Sequence, residues 1–315
     1  MIASKLCEDL GIKYPVIQGG MAWVADASLA SAVSNAGGLG IIAGMNMNGE
    51  QLTAEIRRAR QLTDRPFGVN VMLMSPYADE VAKVVIDEKI PVITTGAGNP
   101  GIYMKDWLAA GIKVIPVVAS VALARMMEKR GAYAVVAEGG DSGGHIGELS
   151  TMALVPEVCS AVKIPVIAAG GIADGRGMAA AFMLGACAVQ VGTRFLVAYE
   201  CTIHENYKKL VLKAGDRETM VTGRRLGHPV RALKTPLANL FKAKEADSSV
   251  TDEELENLGR GALYRAAREG DVESGSFLCG EIAGLVNKEQ SAAEIITEMC
   301  SQAEALLKGA ASLVR

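Results

Sequence analysis

Short apolar runs rich in β-branched residues recur along this chain at intervals of about 25 residues, each followed by a stretch of helical periodicity. Eight such runs occupy residues 15–20, 38–42, 66–73, 92–96, 113–118, 134–139, 165–170 and 188–195. Most are apolar throughout rather than alternating, which is how strands covered on both faces read. Helical patterns lie between them at 27–36, 49–62, 77–89, 102–110, 120–129 and 177–184. Eight strand–helix units of this length predict an α/β fold, a closed (β/α)8 TIM barrel of roughly 200 residues. A doubly wound open sheet is the alternative, because alternation alone does not prove closure.

Beyond the eighth run the pattern changes. Residues 199–280 show no clear strand and carry more charge: 219–244 hold six basic residues and no acidic one, and 245–256 hold six acidic residues and no basic one. The organisation expected is a barrel over 1–198, a small helical cap inserted after strand 8 over 199–280, and a helix over 281–315 returning to the barrel. Ala293, Ile296, Met299, Cys300 and Ala303 would form its apolar face.

Charge and composition exclude several classes. Lys and Arg total 32 against 35 Asp and Glu, a net charge of −3, and aromatics are 4%. Neither a general nucleic-acid footprint nor a base-stacking platform fits those figures. The six cysteines, Cys7, Cys159, Cys187, Cys201, Cys279 and Cys300, form no CxxC pair and no zinc spacing. They read as small core residues of a protein from the reducing cytoplasm. Lys5, Glu8 and Asp9 interrupt the N-terminus, so no signal peptide is expected. The uncharged run 177–193 is too short to span a membrane and reads as a helix followed by a strand.

In a barrel, chemistry sits where strands end and the following loops begin. The first strand ends in Gln18-Gly19-Gly20-Met21-Ala22, the third carries Asn70, and the sixth ends at Glu138. A loop with Asp141, Ser142 and His145 among five glycines follows Glu138. The seventh strand ends in Gly170-Gly171 and the eighth runs through Gln190 to Gly192-Thr193-Arg194. Loops after strands seven and eight form the recurrent phosphate site of barrels, where glycine lets main-chain N–H groups approach and a helix N-terminus adds positive potential. The competing reading is that these glycines only make tight turns. His145 has few neighbours to pack against and is a candidate proton donor or polariser. His204 reads as a solvated cap residue, and His228 is open. Residues 96–101 match GxGxxG after a strand, yet no acidic residue ends the next strand, so a dinucleotide fingerprint is rejected. No metal cluster and no nucleophilic serine elbow is expected.

These segments together resemble a known family. Residues 18–24 (QGGMAWV), 36–42 (AGGLGII), 66–70 (PFGVN), 137–147 with its GGHIG ending, 165–175 (PVIAAGGIADG) and 189–195 (VQVGTRF) are similar to the nitronate monooxygenase superfamily. Within it they most resemble the flavin-dependent enoyl-acyl carrier protein reductases of bacterial fatty acid synthesis. The likeness extends through 227–232 (GHPVRA) and 282–286 (IAGLV).

The resemblance implies FMN in the barrel, NADH or NADPH as electron source, a homodimer, and a monovalent cation as a further candidate cofactor. Carried over position by position, Gly20, Met21, Ala22 and Asn70 would meet the flavin ring. Gly170, Gly171, Gly192 and Thr193 would meet its phosphate, and Glu138 and Gln190 its ribityl chain or ring edge. His145 would be the active-site histidine. The implied reaction is reduction of a trans-2-enoyl-acyl carrier protein, and Arg224, Arg225, Arg231, Lys234, Lys242 and Lys244 would dock the carrier protein. A nitronate monooxygenase using FMN and oxygen is the alternative, and a flavin-free phosphate-binding barrel is a third. The chain departs from relatives around Gly140-Asp141-Ser142 and at Glu281.

Overall fold

The computed structural model describes residues 2 and 4–313. Every apolar run expected to be a strand is one: β1 (Val16–Gln18), β2 (Gly40–Ala43), β3 (Phe67–Met72), β4 (Val92–Gly96), β5 (Lys113–Val118) and β6 (Val135–Glu138) come first. After the short β7 (Gly144–His145), β8 (Val166–Ala169) and β9 (Ala188–Val191) complete the set. The order β1-β9-β8-β6-β5-β4-β3-β2 is parallel throughout. Leu39 bridges Ile17, which brings the last edge to the first and makes the sheet a barrel. The Gln18 side chain strengthens that seam. Its amide donates to the Ile41 carbonyl at 3.2 Å and its Oε1 accepts from the Ile41 N–H at 3.2 Å, doing across β1 and β2 what a ladder bond does elsewhere.

The strands alternate between two buried surfaces, which is why they look uniformly apolar in sequence. Ile17, Ile41, Val92, Ile115, Val136, Ile167 and Ala188 point inward and fill the barrel, together with Leu6, Leu10 and Ile12 from the N-terminal segment. Their neighbours Val16, Ile42, Ile93, Val114, Val135 and Val189 face the helical shell. Burying both faces removes apolar surface at about 25 cal/mol per Å2, the main term holding such a fold together. The run at 177–193 resolves into a helix (Gly175–Met183) and β9, and no helix among the described residues is long and apolar enough to cross a membrane. All six cysteines are free.

Two expectations for the C-terminal third are corrected. Residues 199–280 are not free of strands: β10 (Thr219–Thr222) and β11 (Val230–Leu233) form an antiparallel hairpin, and β7 joins it as a third strand. The hairpin was hidden because its burial is shallow and the Gly227-His228-Pro229 turn breaks the alternation. The returning helix spans Ala292–Gly309, and its buried face is Ala292, Ile295, Ile296, Met299, Cys300 and Ala303. Ala293 is exposed, one position off the expected stripe.

Candidate active site

A cavity of about 270 Å3 opens at the C-terminal mouth of the barrel. Gly20, Met21 and Ala22 from the loop after β1, and Asn70 from β3, form one side of it. Glu138 and Gln190 rise from the ends of β6 and β9, while Gly170, Gly171, Gly192 and Thr193 contribute the opposite side. His145 completes it, so one cavity collects every site residue that the sequence singled out.

The polar side chains are held, not loose. Asn70 is nearly buried and its Nδ2 donates to Thr94 Oγ1 at 2.9 Å on the neighbouring strand. Burial pushes the Glu138 carboxyl up to about 7, and a hydrogen bond from Ser142 Oγ at 3.0 Å only partly offsets this. Gln190 is the exception: its Oε1 is buried and has no hydrogen-bond partner within the protein. A buried acceptor without a donor costs about 1–3 kcal/mol, which a ligand donor in the cavity would relieve.

The glycine pair after β8 is required by its conformation. Gly170 has φ of +94° and Gly171 +69°, both left-handed, where side chains are strained. Thr151 Oγ1 donates to the carbonyls of Ala169 and Gly170 at 3.2 and 3.1 Å, fixing this turn. On the adjacent strand end, Thr193 opens a short turn of 3-10 helix, and its Oγ1 accepts from Gly280 N at 3.0 Å. The helix after β8 does not supply the expected positive end. Asp174 caps Arg176 N and Gly177 N at 2.8 and 3.4 Å, and Gln302 Oε1 accepts from Gly175 N at 2.8 Å. An anion here would therefore rest on the two glycine-bearing loops, not on that helix.

His145 is placed by the cap. It pairs with Val230 across β7 and β11, and Ile146 N donates to Pro229 O at 3.0 Å. The residue is exposed to solvent at the cavity mouth, yet partial desolvation of the ring lowers its pKa below the ordinary 6.5 and nearby His228 lowers it further, which favours the neutral imidazole at neutral pH. His204 is not the solvated residue expected: it is half-buried and caps the helix Glu205–Lys213, its Nδ1 accepting from Asn206 N at 3.1 Å.

Sequence reasoning missed the apolar wall. Met45, Met72, Leu263, Leu278 and Ile282 line the same cavity from four separate stretches of chain. Only the IAGLV segment, which carries Ile282, hinted at it, by likeness rather than by pattern. The GxGxxG decoy also reaches the cavity, through Gly96 and Ala97. Several cations expected to dock a partner bind the chain itself. Arg225 pairs with Asp252 at 2.9 Å and bonds the carbonyls of Asp247 and Val250. Arg224 pairs with Glu148 at 2.9 Å, and Lys234 donates to the Arg217 carbonyl. No group of three or more His, Cys, Asp or Glu side chains among the described residues is placed to hold a metal ion.

Comparison with known proteins gives a consistent set of matches. The nitronate monooxygenase family model matches residues 3–84 and 76–302. The solved structure of FabK from Thermotoga maritima superposes with a TM-score of 0.97 at 48% identity, covering 100% of both chains. A (3aS,4S,5R,7aS)-5-hydroxy-7a-methyl-1-oxo-octahydro-1H-indene-4-carboxyl-CoA dehydrogenase of Mycobacterium tuberculosis is 34% identical over 99% of both chains. A probable nitronate monooxygenase of Staphylococcus saprophyticus is 31% identical over 95% of this chain and 97% of its own.

Proposed function

Because the chain belongs to the nitronate monooxygenase family of flavin-dependent oxidoreductases, we propose that it is an FMN-dependent enoyl-acyl carrier protein reductase drawing electrons from NADH or NADPH. The observation that carries the reading is the full-length likeness to FabK, an enoyl-acyl carrier protein reductase, at 48% identity. The nitronate monooxygenase relatives stand lower, at 31% for the one from Staphylococcus saprophyticus.

The cavity suits FMN on its own chemistry. It offers the orphaned Gln190 acceptor to a ring N–H or ribityl hydroxyl, a carboxyl at Glu138 that hydroxyl donors would favour ionised, and left-handed glycines that leave the main chain open to a phosphate. Gly20, Met21, Ala22 and Asn70 would hold the ring, Glu138 and Gln190 its polar edge and ribityl chain, and Gly170, Gly171, Gly192 and Thr193 the phosphate. FMN, when bound, supplies the two-electron chemistry between the nicotinamide and the β-carbon of the enoyl thioester.

The rest of the reaction falls to the protein. Met45, Met72, Leu263 and Ile282 offer the acyl chain an apolar wall and exclude water from it. Neutral His145 stands at the mouth with an N–H to offer. It would donate a hydrogen bond to the thioester oxygen as charge develops there and order the solvent water that supplies the proton to the α-carbon. The carrier protein would approach the cap side, where Lys242 is exposed and Lys244 half-buried on the helix Pro236–Ala246. Arg225 and Arg231 are engaged within the chain and are poor candidates for that contact.

The test is a steady-state assay of the flavin-loaded protein. NAD(P)H oxidation should depend on an enoyl thioester such as crotonyl-pantetheine and not on an alkyl nitronate. Turnover of a nitronate with oxygen and no nucleotide would favour the monooxygenase reading instead.

A further inference from the structure

The loop that ends in His145 is tied to the barrel strands at its start, by Gly139 N to the Ala169 carbonyl and by Ser142 Oγ to Glu138, but not at Gly143 and Gly144 just before the histidine. Between Glu138 at the end of β6 and His145 lie six residues, four of them glycine. Such a segment is too permissive to hold an imidazole within the fraction of an ångström that proton delivery needs. Two bonds hold its middle, Ser142 Oγ to Glu138 at 3.0 Å and Thr151 N to Asp141 Oδ2 at 2.6 Å, and one side chain from the cap bonds its main chain next to the glycines.

That side chain is Arg231, on the cap strand β11. Its backbone pairs with Gly144, one residue before His145. Its guanidinium then reaches back along the same loop: Nε and Nη2 both donate to the Gly140 carbonyl, at 3.1 and 3.0 Å. Nη1 lies 3.4 Å from Thr219 Oγ1 on the adjacent strand. The loop is thus gripped at Gly140 and at Gly144 by one residue. Nη2 also pairs with Glu281 Oε1 at 2.8 Å, and the arginine side chain is only 12% exposed. Glu281 is itself tied to the loop, since its N–H donates to the Asp141 carbonyl at 3.0 Å. The passage is close: a Cβ on Gly143 would lie 2.7 Å from the Cys279 carbonyl carbon. Cap strand, loop and the 279–281 segment therefore lock together around one guanidinium.

We propose that Arg231 is the positioning residue of His145, with Glu281 as the counter-ion that fixes its fork. The inference rests on the reading of His145 as the group that serves the enoyl thioester. Arg231 lines neither the flavin side of the cavity nor its apolar wall, so it acts through the loop and touches no reacting atom. A guanidinium suits the task because its planar fork can hold the carbonyl and the carboxylate at fixed angles, whereas a lysine ammonium can satisfy them only as a point charge. Because the partner is the Glu281 carboxylate, the clamp is an ion pair.

The experiment is a double-mutant cycle between Arg231→Gln and His145→Ala, with Arg231→Lys and Glu281→Gln alongside, all in the flavin-loaded full-length protein. Arg231→Gln should lower kcat for enoyl reduction by about 10-fold or more with KM little changed, while FMN content and flavin reduction by NAD(P)H stay near wild type. Arg231→Lys should recover part of the loss, and Glu281→Gln should show a smaller one. In the His145→Ala background Arg231→Gln should add almost nothing. A readout independent of turnover is the His145 imidazole signal in carbon-detected NMR, identified by its absence in His145→Ala. It should shift or broaden in Arg231→Gln while His204 does not. Additive losses, or an unmoved His145 signal, would overturn the proposal. If Arg231→Gln fails to fold, Glu281→Gln decides by the same two readouts. Should His145→Ala alone leave turnover unchanged, the reading of His145 fails, while a shifted signal would still show the clamp.

Discussion

Glu138 gives a prediction whose size follows from the structure. Its carboxyl ionises near 4.5 in an unfolded chain and near about 7 in the folded protein, because burial penalises the charged form more than the Ser142 hydrogen bond supports it. Between these values the folded state keeps a proton that the unfolded state has lost. Stability therefore falls as pH rises from about 4.5, and the loss is complete above about 7. At about 1.4 kcal/mol per unit of pKa difference, the full loss is about 3 kcal/mol. Glu138→Gln has no proton to give up and keeps the volume. Urea unfolding of the flavin-free protein at several pH values from about 5 to about 8 reads this directly. The wild type should lose up to about 3 kcal/mol relative to the variant across that window. Saturating FMN should reduce the difference, since hydroxyl donors at Glu138 favour its ionised form. Parallel pH profiles for the two proteins would show that the carboxyl is not held protonated, and the reasoning about its burial would be wrong.

Three further outcomes are expected. Gly170→Ala should leave the protein short of FMN, because the new side chain meets a φ of +94° and lies 2.8 Å from Thr151 Oγ1, whereas at Gly192 a Cβ makes ordinary contact with Met21 Sδ at 3.5 Å. The flavin-to-protein absorbance ratio should thus stay near wild type in Gly192→Ala and fall in Gly170→Ala; equal ratios would refute the placement. His145→Ala should slow enoyl reduction about 10²–10³-fold while flavin reduction by NAD(P)H suffers less, and stopped-flow half-reactions separate the two. In an NMR titration His145 should protonate below 6.5, and His228→Gln should raise that value by removing a like charge, though not fully, because burial is the larger cause; an unmoved titration would remove His228 from the site.

The barrel was legible because its strands are buried on both faces. Ile17 fills the interior and Val16 the helical shell, so each run reads as continuous apolar sequence, and glycine and polar residues mark where it ends. The site was legible for the same reason: Asn70, Glu138, Gln190 and Thr193 are polar residues interrupting or ending such runs, and all line one cavity. What could not be read depended on tertiary pairing. The hairpin β10–β11 is only half-buried and gains its third strand from a distant loop, so no local period announced it. Arg231 looked like one of six surface cations, and only its bonds to Gly140 and Glu281 show that it belongs inside. The basic residues at 219–244 read as a docking face, but Arg225 pairs with Asp252 of the acidic run that follows. Ala293 missed the buried face by one residue because helix phase is set by packing against the barrel, not by composition.

The central claim is that electrons taken from a nicotinamide leave this cavity for an enoyl thioester. An anaerobic stopped-flow experiment tests it directly. The FMN-loaded protein is reduced with one equivalent of NADH or NADPH and then mixed with crotonyl-pantetheine, and the flavin absorbance is followed. The account predicts rapid return of the oxidised spectrum with formation of the saturated thioester, and slow return in the His145→Ala variant. A reduced spectrum that persists with the thioester, yet is discharged at once by oxygen in the presence of an alkyl nitronate, would contradict it.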